Sequence, residues 1–149
     1  MTSKAIQYLY IGDESEAEAL IDQAINDYEL TDWSSDNSYG HMQHARAISL
    51  LADLQNSATL KVQSIQEFES LLANHSWTDS GIADINFEIG KSLFHIKKFE
   101  EAIEKYKKSL EINSSGIVKV FLSQSQIELN DQAAISTIKE VDVGSLMIK

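Results

Sequence analysis

Two histidines have the spacing that metal chemistry would need. His41 and His44 are three positions apart, so a helix would carry both imidazoles on one face, as pairs of metal ligands sometimes lie. The chain has no cysteine, and no H-E-x-x-H pattern accompanies the pair. The sequence therefore predicts neither a metal nor any other cofactor.

A second candidate is Asp32-x-Ser34-x-Asp36, which has the spacing that opens a calcium-binding loop. The sixth position is Asn37 where such loops have glycine, and the twelfth is Gln43 where they have a bidentate Glu. The bend and a ligand are both missing, so a calcium site is rejected. The chain also has no glycine-rich phosphate loop and no G-x-S-x-G motif. The sequence predicts a protein that is not an enzyme.

Helices would have to position any site. Apolar residues recur in steps of three and four over residues 82–96, which predicts one amphipathic helix: Ile82, Ile85, Ile89, Leu93 and Ile96. A turn at Lys97-Lys98 leads to a second helix, whose apolar face holds Phe99, Ala102, Ile103, Tyr106 and Leu110. Small residues at Gly90 and Ala102 would let the two backbones approach closely, with Tyr106 filling the space around the contact.

These small and large residues, at fixed offsets over 34 positions, resemble a tetratricopeptide repeat (TPR). The resemblance implies an all-α fold, a right-handed superhelical solenoid of three to four antiparallel helix pairs in a single domain, 1–149. It is most specific in one unit and extends with less fidelity over the others: about 3–30, 45–78, 83–115 and 116–142.

Turn residues agree with these units. Gly12–Ala17 resembles the turn into a second helix, and Asn56-Ser57 would join the helices of unit 45–78. Asn113–Gly116 would end the second helix of unit 83–115, and Asn130-Asp131 resembles the turn of the last unit. An offset of 38 residues places Ala52, Ser64 and Phe68 where the best unit has Gly90, Ala102 and Tyr106.

Two segments lie outside the units. Residues 31–42, rich in Ser, Asp and Asn, are predicted to form an extended loop, in which Trp33 and Tyr39 either cover the first interhelix groove or contact a partner. The apolar tail, 143–149, is predicted to pack on the last repeat or to cover a neighbouring copy in a homodimer.

The TPR resemblance also implies a concave groove lined by the first helix of each repeat. The groove residues predicted from family positions are Arg46, Asp53, Phe87, Lys91, Phe94, His95 and Gln124. Phe87 and Phe94 lie off the apolar stripe, so they either pack against the helix of an adjacent repeat or form a peptide-binding wall. Lys91 and His95 would supply polar contacts.

The net charge of −11 argues against nucleic acid as a partner. Residues 1–40 hold nine acids against one lysine, which either form a solvated face or steer a basic partner to this half. No signal-peptide core and no membrane-spanning stretch occurs, which predicts a cytoplasmic protein.

The leading hypothesis for function is an adaptor that binds a partner's peptide or helix in the TPR groove. A small acidic chaperone that shields an apolar client segment for secretion or assembly is the first alternative. A self-assembling structural module is the second.

Overall fold

A computed structural model describes residues 12–30 and 38–129. All regular structure in these ranges is α-helical, as predicted, and no strand occurs in them. The helices group into two compact units, Met1–His75 and Ser76–Lys149, here called the N-terminal and C-terminal units. The N-terminal unit contains α1 (Glu14–Leu30), α2 (Ser38–Gln55) and α3 (Ala58–Asn74), and the C-terminal unit contains α4 (Asp79–His95), α5 (Phe99–Ile112) and α6 (Gly116–Glu128).

The first described helix begins where the turn at Gly12 was predicted. Gly12 has φ +83°, a conformation that costs glycine little, and the Asp13 side chain accepts a hydrogen bond from the Glu16 N–H at 3.2 Å. Along α1, Ala17 and Ile21 are fully buried, and they belong to one apolar cluster with Ala47 and Leu51 of α2, supported by the partly buried Leu20, Ile25, Leu50, Leu54 and Leu60. This cluster holds α1 against α2.

Helix α2 begins at Ser38, so the prediction of a loop over 31–42 is wrong for residues 38–42. Met42 and His44 are buried, and the Tyr28 ring of α1 stacks on His44 and contacts His41. Contacts with α1 stabilise this first part of α2, although its local composition is typical of a loop. Tyr39 is exposed, whereas Trp33 lies outside the described residues.

The α2–α3 and α4–α5 turns are built alike, 41 residues apart. Asn56 and Lys97 have φ of 48° and 64°. In each turn the next N–H, from Ser57 or Lys98, donates to the carbonyl five positions back at 2.9 Å. This pairing satisfies carbonyls that the end of a helix would otherwise leave unpaired. The turns predicted at Asn56-Ser57 and Lys97-Lys98 are confirmed.

The turn register corrects the predicted repeat offset. At 41 residues Ser49 is the counterpart of Gly90, so the prediction that paired Ala52 with Gly90 is wrong. In the second helices the offset of 38 still pairs two fully buried rings, Phe68 and Tyr106. Helix α3 therefore has about one more helical turn before Phe68 than α5 has before Tyr106.

The C-terminal unit is built on the close contact predicted at Gly90. A Cβ added there would lie 2.5 Å from Cε1 of Tyr106, whose ring is fully buried, and Ala102 is fully buried as well. Helix α5 ends at Ile112, and Ser115 caps α6 by accepting from the Val118 N–H at 3.4 Å. The break predicted at Asn113–Gly116 is confirmed, with Gly116 as the first residue of α6.

Several predictions concern residues outside the described ranges: the start of unit 3–30, the turn at Asn130-Asp131, the remainder of unit 116–142 and the tail, 143–149. None of the described helices combines the length and the apolar character needed to cross a membrane.

We expect Tyr106→Phe to stabilise the protein by about 1 kcal/mol, because the Tyr106 hydroxyl is buried without a hydrogen-bond partner among the described residues. Burial, and secondarily the charge of Glu88, raise the pKa of Tyr106, so the hydroxyl stays protonated. Urea unfolding of the full chain measures the change, and Tyr39→Phe, at a tyrosine that is 67% exposed, is the matched control and should change nothing. A loss of stability in Tyr106→Phe alone would contradict the prediction.

Candidate functional site

The predicted groove residues are divided between the two units. Arg46 and Asp53 lie on α2, and Gln124 lies on α6. The other four share α4: Phe87, Lys91, Phe94 and His95. Gln124 is exposed, Arg46 is half-buried, and the α4 residues are all partly buried. The α4 residues are therefore the set that the structure brings together.

Phe87 packs within the C-terminal unit. Its ring centroid lies 6.0 Å from that of Tyr106 on α5 and 5.4 Å from that of Phe121 on α6. Of the two alternatives for this residue, packing against a neighbouring helix is thus observed, while its partial exposure still leaves some of the ring on the surface. Phe94 likewise contacts Phe99 of α5 edge-to-face, at 5.3 Å.

Lys91 is a lysine on this side of α4. Its Nζ lies 4.6 Å from the centre of the Phe87 ring and 3.0 Å from Oε1 of Glu88. Both contacts restrain a side chain that is 35% exposed, so the ammonium stands at a defined place beside an aromatic ring. Phe87, Lys91, Phe94 and His95 are called the α4 face below.

Asp53 has a structural partner that the sequence did not indicate. Its Oδ1 lies 2.6 Å from Nζ of Lys61, a lysine only 3% exposed. The same ammonium donates to the carbonyl oxygen of Ser49 at 3.1 Å and to its hydroxyl at 2.9 Å. A carboxylate that balances a buried cation is committed to the α2–α3 contact, so Asp53 is a weaker groove candidate than the residues on the α4 face.

A second constellation lies in the N-terminal unit, where three helices surround a cavity of about 300 Å³. We call it the imidazole pocket. Its lining combines three histidines with a phenol, a carboxylate, a hydroxyl and one leucine: Tyr28, His41, His44, Glu67, Ser70, Leu71 and His75. The spacing of His41 and His44 was the one signal of it in the sequence; the remaining residues come from α1 and from the end of α3.

His44 is the buried centre of the pocket, 8% exposed. Its Nδ1 lies 2.8 Å from Oε2 of Glu67, so the imidazole N–H donates to the carboxylate, and its ring stacks on Tyr28 at 3.9 Å and 17°. Nε2 lies 3.9 Å from Oε1 of Glu29 and has no hydrogen-bond partner among the described residues. One imidazole thus joins α1, α2 and α3.

The other pocket groups form a polar rim. The Tyr28 hydroxyl and Nδ1 of His41 share a hydrogen bond, and the rings of His41 and His75 lie 5.6 Å apart. Burial, and after it the charge of Glu67, raise the pKa of Tyr28. Within residues 12–30 and 38–129, no group of three or more His, Asp or Glu side chains is arranged to hold a metal ion.

Comparison with known proteins finds no family model that matches the chain and no curated protein that matches it. The TPR resemblance therefore depends on the residues themselves, above all on Gly90, Ala102 and Tyr106.

Proposed function

We propose that the protein is a non-enzymatic adaptor, a TPR-like solenoid that binds a peptide or helix of a partner protein along the α4 face. The observation that carries the proposal is the restrained ammonium of Lys91 beside the partly exposed ring of Phe87. Aromatic side chains are enriched among the residues that contribute most to binding at protein interfaces, and restraint before binding lowers the entropy that association costs.

The packing of Phe87 supports a binding surface whose side chains are held in place by the helices beneath it. Its inner contacts with Tyr106 and Phe121 fix the ring, and Phe94 is fixed in the same way by Phe99. A partner segment would meet side chains whose positions the fold already determines, so few rotamers would have to be ordered on binding.

The hydrogen bonds of the imidazole pocket support a role other than catalysis. Ser70 is the hydroxyl nucleophile in its lining, and its Oγ accepts from Nδ2 of Asn74 at 3.0 Å rather than pairing with an imidazole. His44 Nδ1 is committed to Glu67.

The test is capture of partners from a native lysate by the full chain and by a Lys91→Glu variant. We expect a partner that wild type retains to be depleted about fivefold by Lys91→Glu, because the charge reversal removes a fixed cation from the α4 face. Lys108→Glu on α5, an exposed lysine with the same charge change, is the matched control and should retain the partner.

Lys91→Glu is preferred to Phe87→Ala for this purpose, because removing the Phe87 ring would also remove its packing on Tyr106 and Phe121. The captured protein is then purified and titrated against both variants by calorimetry. Equal affinity for the Lys91→Glu and Lys108→Glu proteins would overturn the α4 face. Capture of nothing except further copies of this chain would favour self-assembly instead.

A further inference from the structure

The imidazole pocket is a binding site that the adaptor proposal does not use. It lies within the N-terminal unit, whereas the α4 face belongs to the C-terminal unit. We propose that the imidazole pocket receives a basic side chain, Arg or Lys, of a partner protein. The inference depends on the proposed function in one respect, that the natural partner is a protein.

The lining has the chemistry of a cation receptor. It has no lysine and no arginine, and it offers the Glu67 carboxylate and the Ser70 hydroxyl oxygen. Oε2 of Glu67 accepts from His44, and the carboxylate is 30% exposed, so Oε1 remains available to a ligand N–H. Tyr28 and the histidine rings add aromatic surface, which attracts guanidinium and ammonium groups.

The surrounding charge favours the same occupant. The described residues of the N-terminal unit include ten Asp and Glu against Arg46 and Lys61, a net charge of −8. Lys61 is buried and paired with Asp53, so it does not compensate this charge at the surface. An acidic surface around a concave site raises the local concentration of cations and speeds their association.

The pocket is open to solvent, and its volume of about 300 Å³ at the junction of three helices has room for one long side chain. A single Arg or Lys projecting from a partner fits this shape, with its charged end near Glu67.

The test uses an acetylated, amidated Gly/Ser peptide with three Arg, and the same peptide with uncharged citrulline at the three positions. Binding to the full chain at pH 8 is followed by NMR of the histidine ring signals. We expect the Arg peptide to shift the His41 and His75 signals and the citrulline peptide to leave them unchanged.

Two variants assign the binding to the pocket. Glu67→Gln keeps the shape and an acceptor for His44 but removes the charge, and it should weaken the Arg peptide roughly fivefold. Glu69→Gln, the same charge change on the same helix outside the lining, should not. Ser70→Arg, at an exposed position on the rim, should fill the pocket with the chain's own cation and abolish binding.

Equal weakening by Glu67→Gln and Glu69→Gln, binding that survives Ser70→Arg, or equal binding of the citrulline peptide would each overturn the pocket as a cation receptor. These outcomes are independent of Lys91→Glu. A partner lost with Lys91→Glu but retained by Ser70→Arg contradicts the pocket alone, and the reverse contradicts the α4 face alone.

Discussion

Gly90→Ala is expected to destabilise the C-terminal unit by up to about 2 kcal/mol, although alanine is the better helix former. The new methyl carbon would stand 2.5 Å from Cε1 and 2.7 Å from Cδ1 of Tyr106. The Tyr106 ring is fully buried and also touches Phe87 and Phe121, so it cannot move aside without displacing its neighbours. Overpacking of this kind costs about 1–3 kcal/mol, against roughly 1 kcal/mol gained in helix propensity.

Gly81→Ala on the same helix is the matched control. An added Cβ at Gly81 would lie 3.2 Å from the side chain of Trp77, which is only partly buried and can shift. We expect this variant to be neutral or slightly more stable than wild type. Native-state hydrogen exchange in α4 and α5 reports the change locally. If Gly90→Ala protected these amides as well as Gly81→Ala does, the α4–α5 contact would be looser than the structure shows.

The interhelix contact at Gly90 was predictable because it depends on residue size at a fixed spacing. Glycine and alanine mark a close approach wherever a large ring lies opposite, and Tyr106 supplied that ring. The helix ends were predictable for a related reason, since Gly12, Asn56 and Ser57 are residues with specific turn and cap chemistry. Turns and helix caps depend on a few neighbouring residues, so the sequence alone is enough to predict them.

The N-terminal unit was harder to predict because a polar contact occupies the place where the C-terminal unit has a contact between a small residue and a ring. Where the C-terminal unit has Gly90, the turn register places Ser49, which accepts from the buried ammonium of Lys61. A lysine within a helical pattern normally predicts a solvent face. The offset of 38 residues matched small residues with one another, and it therefore missed a polar contact at the corresponding place.

The imidazole pocket could not be predicted as a site. Its groups come from three helices, and the stretch of chain between Tyr28 and His41 was predicted to include an extended loop up to residue 42. Because α2 begins at Ser38, His41 and His44 lie in its first two turns, on the side that faces α1 and α3. The spacing of the two histidines was informative, but its meaning depended on Glu67 and Tyr28, which are distant in sequence.

Asp53→Ala is expected to destabilise the N-terminal unit by about 1–3 kcal/mol. It would remove the carboxylate 2.6 Å from Nζ of Lys61 and leave a buried ammonium with only the two oxygens of Ser49. A charge left without its counterion costs far more than the pair contributes, and the half-exposed position of Asp53 keeps the loss below that of a fully buried pair. Urea unfolding, with hydrogen exchange in α2 and α3, measures it.

Lys61→Met tests whether the cost of Asp53→Ala comes from the unpaired ammonium of Lys61 or from the loss of the Asp53 side chain itself. Methionine keeps much of the length and apolar volume without the charge, so we expect Lys61→Met to lie within about 1 kcal/mol of wild type and to remove most of the cost of Asp53→Ala in the double variant. Because Asp53 was also a predicted groove residue, the double variant has a second use. If it is as stable as wild type yet binds the partner less well, Asp53 contacts the partner directly. If Asp53→Ala alone is neutral, Lys61 is hydrated rather than buried, and the ion pair does not hold α2 and α3 together.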